Sequence, residues 1–294
     1  MTAMRAPLPG ERWHFSHGPI DLVIGAEGRA DATRAAHEAA WQRFVSLLPE
    51  LVAELPLLRA PVREHNPLAG PVARRMWKAC HPFRGEFITP MAAVAGAVAQ
   101  EIIACYQLPG VRRAWVNNGG DIALHLVGEE SLRVGLCADV AHLHGDEHGL
   151  RADAAFAVQA AMPVRGVATS GWRGRSFSLG IADSVTVLAR TASEADAAAT
   201  VIANAVNLRD PRIRRRPACE LKDDSDLGAI PVTVAVPPLE PALVQRAIDA
   251  GLARAHVLQA AGLVHDAAIV CQGRFAGLGR PMRLPEPQFG SVFA

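Results

Sequence analysis

The chain alternates between stretches with a helical spacing of apolar residues and short apolar stretches bounded by glycine. Residues 30–55 repeat apolar side chains every three or four positions, which predicts an amphipathic helix. A second helix is predicted to begin near Pro90 and to run to residue 106. Its side chains are nearly all small and apolar, so we expect it to be buried on most sides. A third amphipathic helix is predicted over 240–262.

Short runs typical of β-strands lie between these helices. Residues 12–28 predict two strands, or one strand and a turn, and residues 112–128 predict two strands around a glycine turn. Further strands are predicted at 131–136, 163–171, 176–189, 231–239 and 267–279. Residues 56–71 contain four prolines and are predicted to be a loop. This order predicts an α+β fold, in which long helices cover a mostly antiparallel sheet. One domain is expected over 1–280, followed by a loose tail at 281–294.

One predicted helix, with the sequence SEADAAATVIANAV at 193–206, carries an unusual narrow polar stripe. Asp196, Thr200 and Asn204 follow one another at intervals of four, so they lie along one side of the helix. A carboxylate among alanines must be paired, hydrogen-bonded or metal-bound, because an isolated buried charge is costly. A carboxylate and a hydroxyl one turn apart suit a hard cation such as Mg²⁺. Alternatively, Asp196 complements the helix dipole behind Ser193 as N-cap, which leaves Thr200 and Asn204 unexplained.

The first of two turns that could bind a ligand has the sequence VNNGGDI. Asn117 and Asn118 tolerate left-handed backbone, and Gly119 and Gly120 allow close approach of another group. One interpretation is an ordinary hairpin, since Asn-Gly is a strong hairpin signal. The other is a backbone cradle for a phosphate or pyrophosphate, with Asp121 accepting from a sugar hydroxyl or holding a cation.

The second turn follows the predicted strand that ends in VATSG. Thr169, Ser170 and Gly171 offer two hydroxyls and backbone N–H groups, and Arg173 and Arg175 add positive charge beside them. Anionic ligands favour this combination. A polar turn with solvated arginines explains the same residues.

Composition narrows the class of protein. Half of the residues are hydrophobic, 20% are charged and the net charge is +1, which excludes wholesale disorder and a general attraction to nucleic acid or anionic membranes. The five cysteines are widely spaced, as expected for reduced thiols. Neither a secretory signal nor an apolar run of about 20 residues is found, so we expect a cytoplasmic protein with no membrane partner.

The histidines suggest no site. His142, His144 and His148 have a spacing that could reach zinc, but their charged, glycine-containing surroundings favour a solvated loop. Three further histidines have no companion in the sequence that would form a nucleophile and base pair: His14, His17 and His125.

Three motifs together resemble a known family. VNNGGDI at 116–122, VATSG at 167–171 and SVTVLARTASEADAAAT at 184–200 match the order and rough spacing of motifs in the ApbE-type FAD:protein FMN transferases. The chain looks most like the small cytoplasmic branch of that family, over roughly residues 85–210. The resemblance implies two intertwined T-fold-like halves with the site between them. It also implies a transferase-like enzyme that uses Mg²⁺ and FAD or FMN, and a possible homodimer.

Residue by residue, the resemblance implies Asp196 and Thr200 as Mg²⁺ ligands. It places two segments beside the nucleotide: Asn117, Asn118, Gly119, Gly120 and Asp121, and Thr169, Ser170 and Gly171. The transferases carry a histidine-containing HxIDPxTG segment after the TSG turn, where this chain reads SFSLGIADS. Their lysine before the long buried helix is also absent.

Three functions therefore stay open at this point. The first is a Mg²⁺-dependent enzyme that transfers FMN or cleaves the FAD pyrophosphate. The second is an enzyme of the same fold that builds a pterin-type one-carbon cofactor of the tetrahydromethanopterin kind. The third is a non-catalytic protein that binds a flavin or another nucleotide.

Overall fold

Alternating buried and exposed side chains build a large antiparallel sheet in the computed structural model. The structure describes residues 2–136, 145–146, 149–150, 154–279 and 292–293, with side chains for 2–135 and 156–279. The strands of the described residues are β1 Met4–Leu8, β2 Arg12–His17, β3 Ile20–Gly28, β4 Val111–Asn118, β5 Asp121–Leu126, β6 Ser131–Leu136, β7 Gly145–Asp146, β8 Gly149–Leu150, β9 Ala154–Gln159, β10 Gly166–Ser170, β11 Ser184–Ala189, β12 Arg214–Pro217, β13 Pro231–Ala235, β14 Asp266–Cys271, β15 Arg274–Gly277 and β16 Val292–Phe293. The helices are α1 Ala30–Ala53, α2 Leu55–Leu58, α3 Pro71–Cys80, α4 Val94–Ile103, α5 Ala192–Ala205 and α6 Pro241–Ala260.

Nine strands form the main sheet in the order β1-β2-β3-β4-β5-β10-β11-β14-β15, with every pairing antiparallel. Strands β1–β5 are followed in this sheet by β10, β11, β14 and β15, and these two sets of strands, called here the halves of the sheet, meet where β5 pairs with β10. This junction is short, with Gly166 opposite Ala123 and Val167 opposite Ile122. The predicted α+β class and the mostly antiparallel sheet are confirmed.

Helices α1, α4, α5 and α6 pack on one face of this sheet through their buried apolar residues, and α3 packs on α4 and α5. Helices α4 and α5 are the most enclosed, and α5 buries alanines, valine and isoleucine around most of its circumference. Gly96 allows these two helices to touch, since a Cβ at that position would lie 2.3 Å from the carbonyl oxygen of Ala192. On the opposite face a smaller core, which includes Ile122, Leu124 and Val167, lies between the sheet and strands β6 and β9.

Some elements differ from the predicted ones. Residues 56–71 are not all loop, because the first three of them belong to the short helix α2, Leu55–Leu58. The predicted strand at 176–189 begins only at Ser184. The second helix starts with a 3-10 turn at Pro90–Ala93 before α4. Strands β1, β9 and β12 and helix α3 are additional elements; β9 lies in a segment, 139–161, whose sequence predicts an exposed excursion.

Several predictions concern residues outside the described ones. The proposed loop with His142, His144 and His148 is among them, as is most of the proposed tail at 281–294. Within that tail the backbone of Val292–Phe293 pairs in parallel with β6. No helix in the described part of the chain is long and apolar enough to cross a membrane.

Candidate metal and nucleotide site

The junction between the two halves of the sheet opens at Asp121 and Thr169. Backbone pairing between β5 and β10 ends at Ile122 and Val167. Beyond this pair, the N–H of Thr169, two residues after Val167, donates to Oδ1 of Asp121, the residue before Ile122, at 3.1 Å. The carboxylate therefore takes the place of the next backbone acceptor, and the two strands diverge around it. Asp121 is buried, with 7% of its surface exposed.

Asp196 lies on α5 facing the first turn of α4. Its Oδ2 accepts a hydrogen bond from the Gly96 N–H at 2.9 Å, and the Ala95 N–H also acts on this carboxylate. The first N–H groups of a helix have no partner within the helix and carry partial positive charge. Asp196 thus caps a helix other than its own, which requires the close contact that Gly96 permits.

The hairpin turn between β4 and β5 is tied to the same helix. Asn118 Nδ2 donates to the Ala95 carbonyl at 3.1 Å, and Gly120 N–H donates to Asn117 Oδ1 at 2.8 Å. Gly119 and Gly120 have φ angles of 66° and 112°, in the region that L-residues rarely adopt. The turn is therefore a true hairpin, and it also lies beside Asp121 and the start of α4.

The two carboxyl groups influence each other. Loss of solvation raises the pKa of Asp196 to about 7, against the opposing effect of the two backbone N–H groups. Loss of solvation also raises the pKa of Asp121 well above its usual value, and the charge of Asp196 raises it further. Like charges held close together in a low dielectric cannot both ionise freely. Both carboxyl groups therefore have pKa values above the usual range, and a positive charge bound beside them would lower both.

The remaining members of the polar stripe on α5 have different surroundings. Thr200 is half-buried, one turn beyond Asp196. Asn204 Oδ1 accepts from Leu179 N–H at 2.9 Å, so it fixes the loop before β11. Asn204 therefore has a structural role. It lies at the end of the stripe that contacts the loop, whereas Asp196 lies at the end beside α4.

Helix α5 begins earlier than expected. The N-cap is Thr191, whose hydroxyl accepts from Glu194 N–H, so the prediction of Ser193 as N-cap was wrong. Ser193 Oγ instead donates to Gln100 Oε1 of α4 at 2.7 Å. Thr191 is in extended backbone with φ −138°, which is the usual conformation of an N-cap.

The turn after β10 is polar and partly enclosed. Thr169 Oγ1 lies 2.8 Å from Thr186 Oγ1 on β11, so its hydroxyl is already engaged, while Ser170 is half-buried and Gly171 is buried. Arg173 Nε donates to Asp183 Oδ1 at 2.8 Å. Arg175 lies over the other turn, with its Nη2 3.4 Å from the position that a Gly119 Cβ would occupy.

These donors suit a hard cation better than a soft one. In the part of the chain that the structure describes, no three His, Cys, Asp or Glu side chains converge as a metal centre. Mg²⁺ is usually held by one or two carboxylates, with the other positions taken by water and substrate phosphates. Asp196 and Asp121 supply two carboxyl groups that are desolvated together, as such a site requires.

Some contacts could not be read from sequence motifs. Ala95 and Gly96 contribute to the site through backbone N–H and C=O groups, which every residue carries, so no motif could reveal them. The only signal was that small residues at the start of a buried helix allow another segment to approach closely. His14 Nε2 lies 3.0 Å from Asp21 Oδ2 on the next strand, a contact that the sequence did not indicate and that does not form a nucleophile and base pair. Asp21 comes directly before Leu22, which pairs with Asn118 at the edge of the glycine turn.

Comparison with known proteins assigns the family. A family model described as "AbpE bacteria" matches residues 5–277, almost the whole described chain. The chain belongs to this ApbE-like family. The resemblance inferred from the three motifs is thereby confirmed, and the match extends well beyond residues 85–210 on both sides.

Curated relatives of the ApbE-like chain include archaeal UPF0280 proteins. The one from Methanopyrus kandleri is 37% identical over 210 residues, which cover 69% of this chain and 78% of that protein. The one from Methanothermobacter thermautotrophicus is 40% identical over 156 residues, covering 53% of this chain and 56% of that protein. Among solved structures, the flavin transferase ApbE from Vibrio cholerae aligns with a TM-score of 0.43 and 12% identity, covering 94% of this chain and 95% of that one.

Proposed function

We propose that this ApbE-like protein is a transferase-like enzyme that binds a flavin nucleotide together with Mg²⁺. Asp196 and Thr200 are the proposed metal ligands, with Asp121 as a second carboxylate. The observation that carries the proposal is the pair of desolvated carboxyl groups at the opening between the sheet halves. Family membership supports the flavin as the nucleotide.

The residues of the site have separate tasks in this proposal. The N–H groups of Gly96 and Ala95 orient the carboxylate of Asp196 toward a cation. The Thr169 N–H holds Oδ1 of Asp121 in the same way, which leaves Oδ2 for that cation. Both carboxylates are therefore oriented before a ligand arrives, and orientation in advance reduces the entropy lost on binding.

The two turns supply the contacts to the nucleotide. The glycine turn at 117–121 has no side chain at its two central residues, so a phosphate can approach its backbone closely. The segment 169–171 forms the opposite side of the opening and contributes the Ser170 hydroxyl. When bound, Mg²⁺ would neutralise the phosphates and polarise the pyrophosphate bond.

Isothermal titration calorimetry with FAD, with and without Mg²⁺, tests the proposal. Wild type is expected to bind FAD more tightly with Mg²⁺, and Asp196→Asn is expected to lose that dependence. The asparagine keeps an oxygen that accepts from Gly96 N–H, so helix α4 stays capped. Absence of FAD binding by the wild type in both conditions would contradict the proposal.

Release of AMP from bound FAD is the next measurement. Its appearance supports transfer or pyrophosphate cleavage, whereas tight binding without release indicates a non-catalytic flavin protein. A reduced pterin that displaces FAD would instead favour the pterin-type function. The cytoplasmic location and the homodimer stay predictions; cell fractionation and analytical ultracentrifugation test them.

A further inference from the structure

The loop after β10 carries two arginines, Arg173 and Arg175, whose contacts differ. Arg173 donates to Asp183 Oδ1, and its guanidinium lies over the Trp172 ring with 5.1 Å to the ring centroid. Trp172 Nε1 also donates to Asp183 Oδ1, at 3.3 Å. Asp183 is mostly enclosed, with 11% of its side chain exposed. Arg173 is therefore part of an anchor that fixes the loop.

The same anchor reaches the neighbouring hairpin. Oδ2 of Asp183 accepts from the Gln272 N–H in the turn between β14 and β15. Within the loop, Gly174 N–H donates to the Gly171 carbonyl at 3.2 Å and closes a turn. Residues 171–174 are thereby held in position, and Arg175 follows them directly.

Arg175 reaches from this anchored loop to the glycine turn of the other half of the sheet. Its guanidinium lies against Gly119, and its charge acts on Asp121. No carboxylate in the described part of the chain forms an ion pair with it at 4.0 Å or less, and the side chain is exposed. A planar guanidinium beside a turn without side chains can share a phosphate with that turn, because its forked donors match phosphate oxygens.

We propose that Arg175 determines specificity for phosphorylated ligands by binding a phosphate group against the Gly119–Gly120 turn. This inference rests on the proposed function for the position of the nucleotide, but it does not depend on the ligand being a flavin. Arg175 spans the two halves of the sheet, so a ligand held there contacts both.

Calorimetry on the full chain with Mg²⁺ and inorganic pyrophosphate, FAD or riboflavin tests the inference. Arg175→Gln is expected to weaken pyrophosphate and FAD by about tenfold or more, because a charged hydrogen bond to phosphate is lost. Riboflavin, which has no phosphate, should bind Arg175→Gln and the wild type equally well. Arg175→Lys should recover part of the loss, since lysine keeps the charge but not the fork.

Arg173→Gln is the matched control in the same loop. It removes the same charge and leaves Asp183 with fewer donors, so the melting temperature should fall. Pyrophosphate affinity should change by less than about threefold, because this guanidinium is already engaged with Asp183. Arg175→Gln should show the opposite pattern, with an unchanged melting temperature.

The outcomes separate this inference from the proposed function. If the wild type binds FAD and Arg175→Gln binds it equally well, the inference fails while the function stands. If binding of pyrophosphate depends on Arg175 but FAD does not bind, the flavin proposal fails and the inference stands. Equal weakening of riboflavin by Arg175→Gln, or binding of neither pyrophosphate nor FAD by the wild type, would overturn the inference.

Discussion

Two acidic residues on the packed helices α4 and α5 have opposite environments. Glu101 on α4 accepts from Arg43 Nε and from an Arg75 Nη, both at 2.7 Å. Burial alone would raise its pKa, but the two arginines lower the pKa below its usual value. Asp196 on α5 receives only backbone N–H groups, and its pKa rises to about 7.

The difference shows how a fold distinguishes a structural acid from a candidate ligand. Glu101 has two guanidinium groups that neutralise it, so its charge is satisfied within the protein. Asp196 shares its surroundings with a second acid, Asp121, and therefore has a deficit of positive charge. Partial charges of backbone N–H groups orient such a carboxylate without cancelling its charge. In the proposed function, a bound cation would supply at Asp196 the positive charge that Arg43 and Arg75 supply at Glu101.

Removal of each charge should change stability in opposite directions. Glu101→Gln leaves two partly buried arginines without their shared partner, and we expect the free energy of unfolding to fall by about 2–3 kcal/mol. Asp196→Asn removes an unfavourable, desolvated charge at a half-buried position, so in metal-free buffer at pH 8 it should leave stability unchanged or raise it. Urea unfolding monitored by circular dichroism measures both.

Glu50→Gln is the control for this comparison. Glu50 also binds Arg43, but 39% of its side chain is exposed, so its loss should lower stability by less than about 1 kcal/mol. A loss of stability in Asp196→Asn as large as that in Glu101→Gln would mean that Asp196 serves only to cap α4.

The raised pKa of Asp196 predicts a pH dependence with a definite sign. The folded state keeps the proton up to a pH of about 7, whereas the unfolded chain releases it near 3.8. Between these values the folded state binds more protons, so stability falls as pH rises through this window and levels off above it. Without metal, we expect wild type to lose about 1–2 kcal/mol more than Asp196→Asn between pH 5 and 8.

Adding Mg²⁺ to the same measurement of stability against pH tests whether the Asp196 carboxylate binds the cation. A cation that replaces the proton should raise the stability of the wild type at pH 8 and reduce its pH dependence, with no such effect on Asp196→Asn. Identical pH profiles of wild type and Asp196→Asn in metal-free buffer would show that the carboxylate is not desolvated as the structure indicates.

The smallest expected effect concerns the two ends of the polar stripe. Thr200→Val removes one hydroxyl and should change stability by less than about 0.5 kcal/mol, while Mg²⁺ affinity falls a few-fold. Asn204→Ala leaves Leu179 N–H without its acceptor, so stability should fall by about 1 kcal/mol with no change in Mg²⁺ affinity. Thermal melting with and without Mg²⁺ distinguishes them; an unchanged response to Mg²⁺ in Thr200→Val would remove Thr200 from the metal site.

Local sequence patterns predicted much of the fold, because helices and hairpin turns depend on interactions between residues that are close in the sequence. The helical spacing of 30–55 and 240–262 and the Asn-Gly signal at 117–120 specify elements whose hydrogen bonds lie within a few residues. The start of α5 was misplaced by two residues, since Thr191 and Ser193 are both suitable caps and the contact of Ser193 with Gln100 is not local. Strands β1, β9 and β12 and helix α3 were missed. For α3 the signal was present, because its buried residues Val72, Ala73, Met76, Ala79 and Cys80 follow a helical spacing.

The sequence by itself determined the α+β class, the buried helix with a lone acid among alanines, and two polar turns flanking it. It also determined the motif pattern that indicated the family. Only the tertiary structure decided that Asp196 meets the first turn of α4, that Asp121 lies at the opening between the sheet halves, and that Arg175 rather than Arg173 faces the glycine turn. These outcomes depend on contacts between residues 48–100 positions apart, whose energies arise only after the helices and strands have packed.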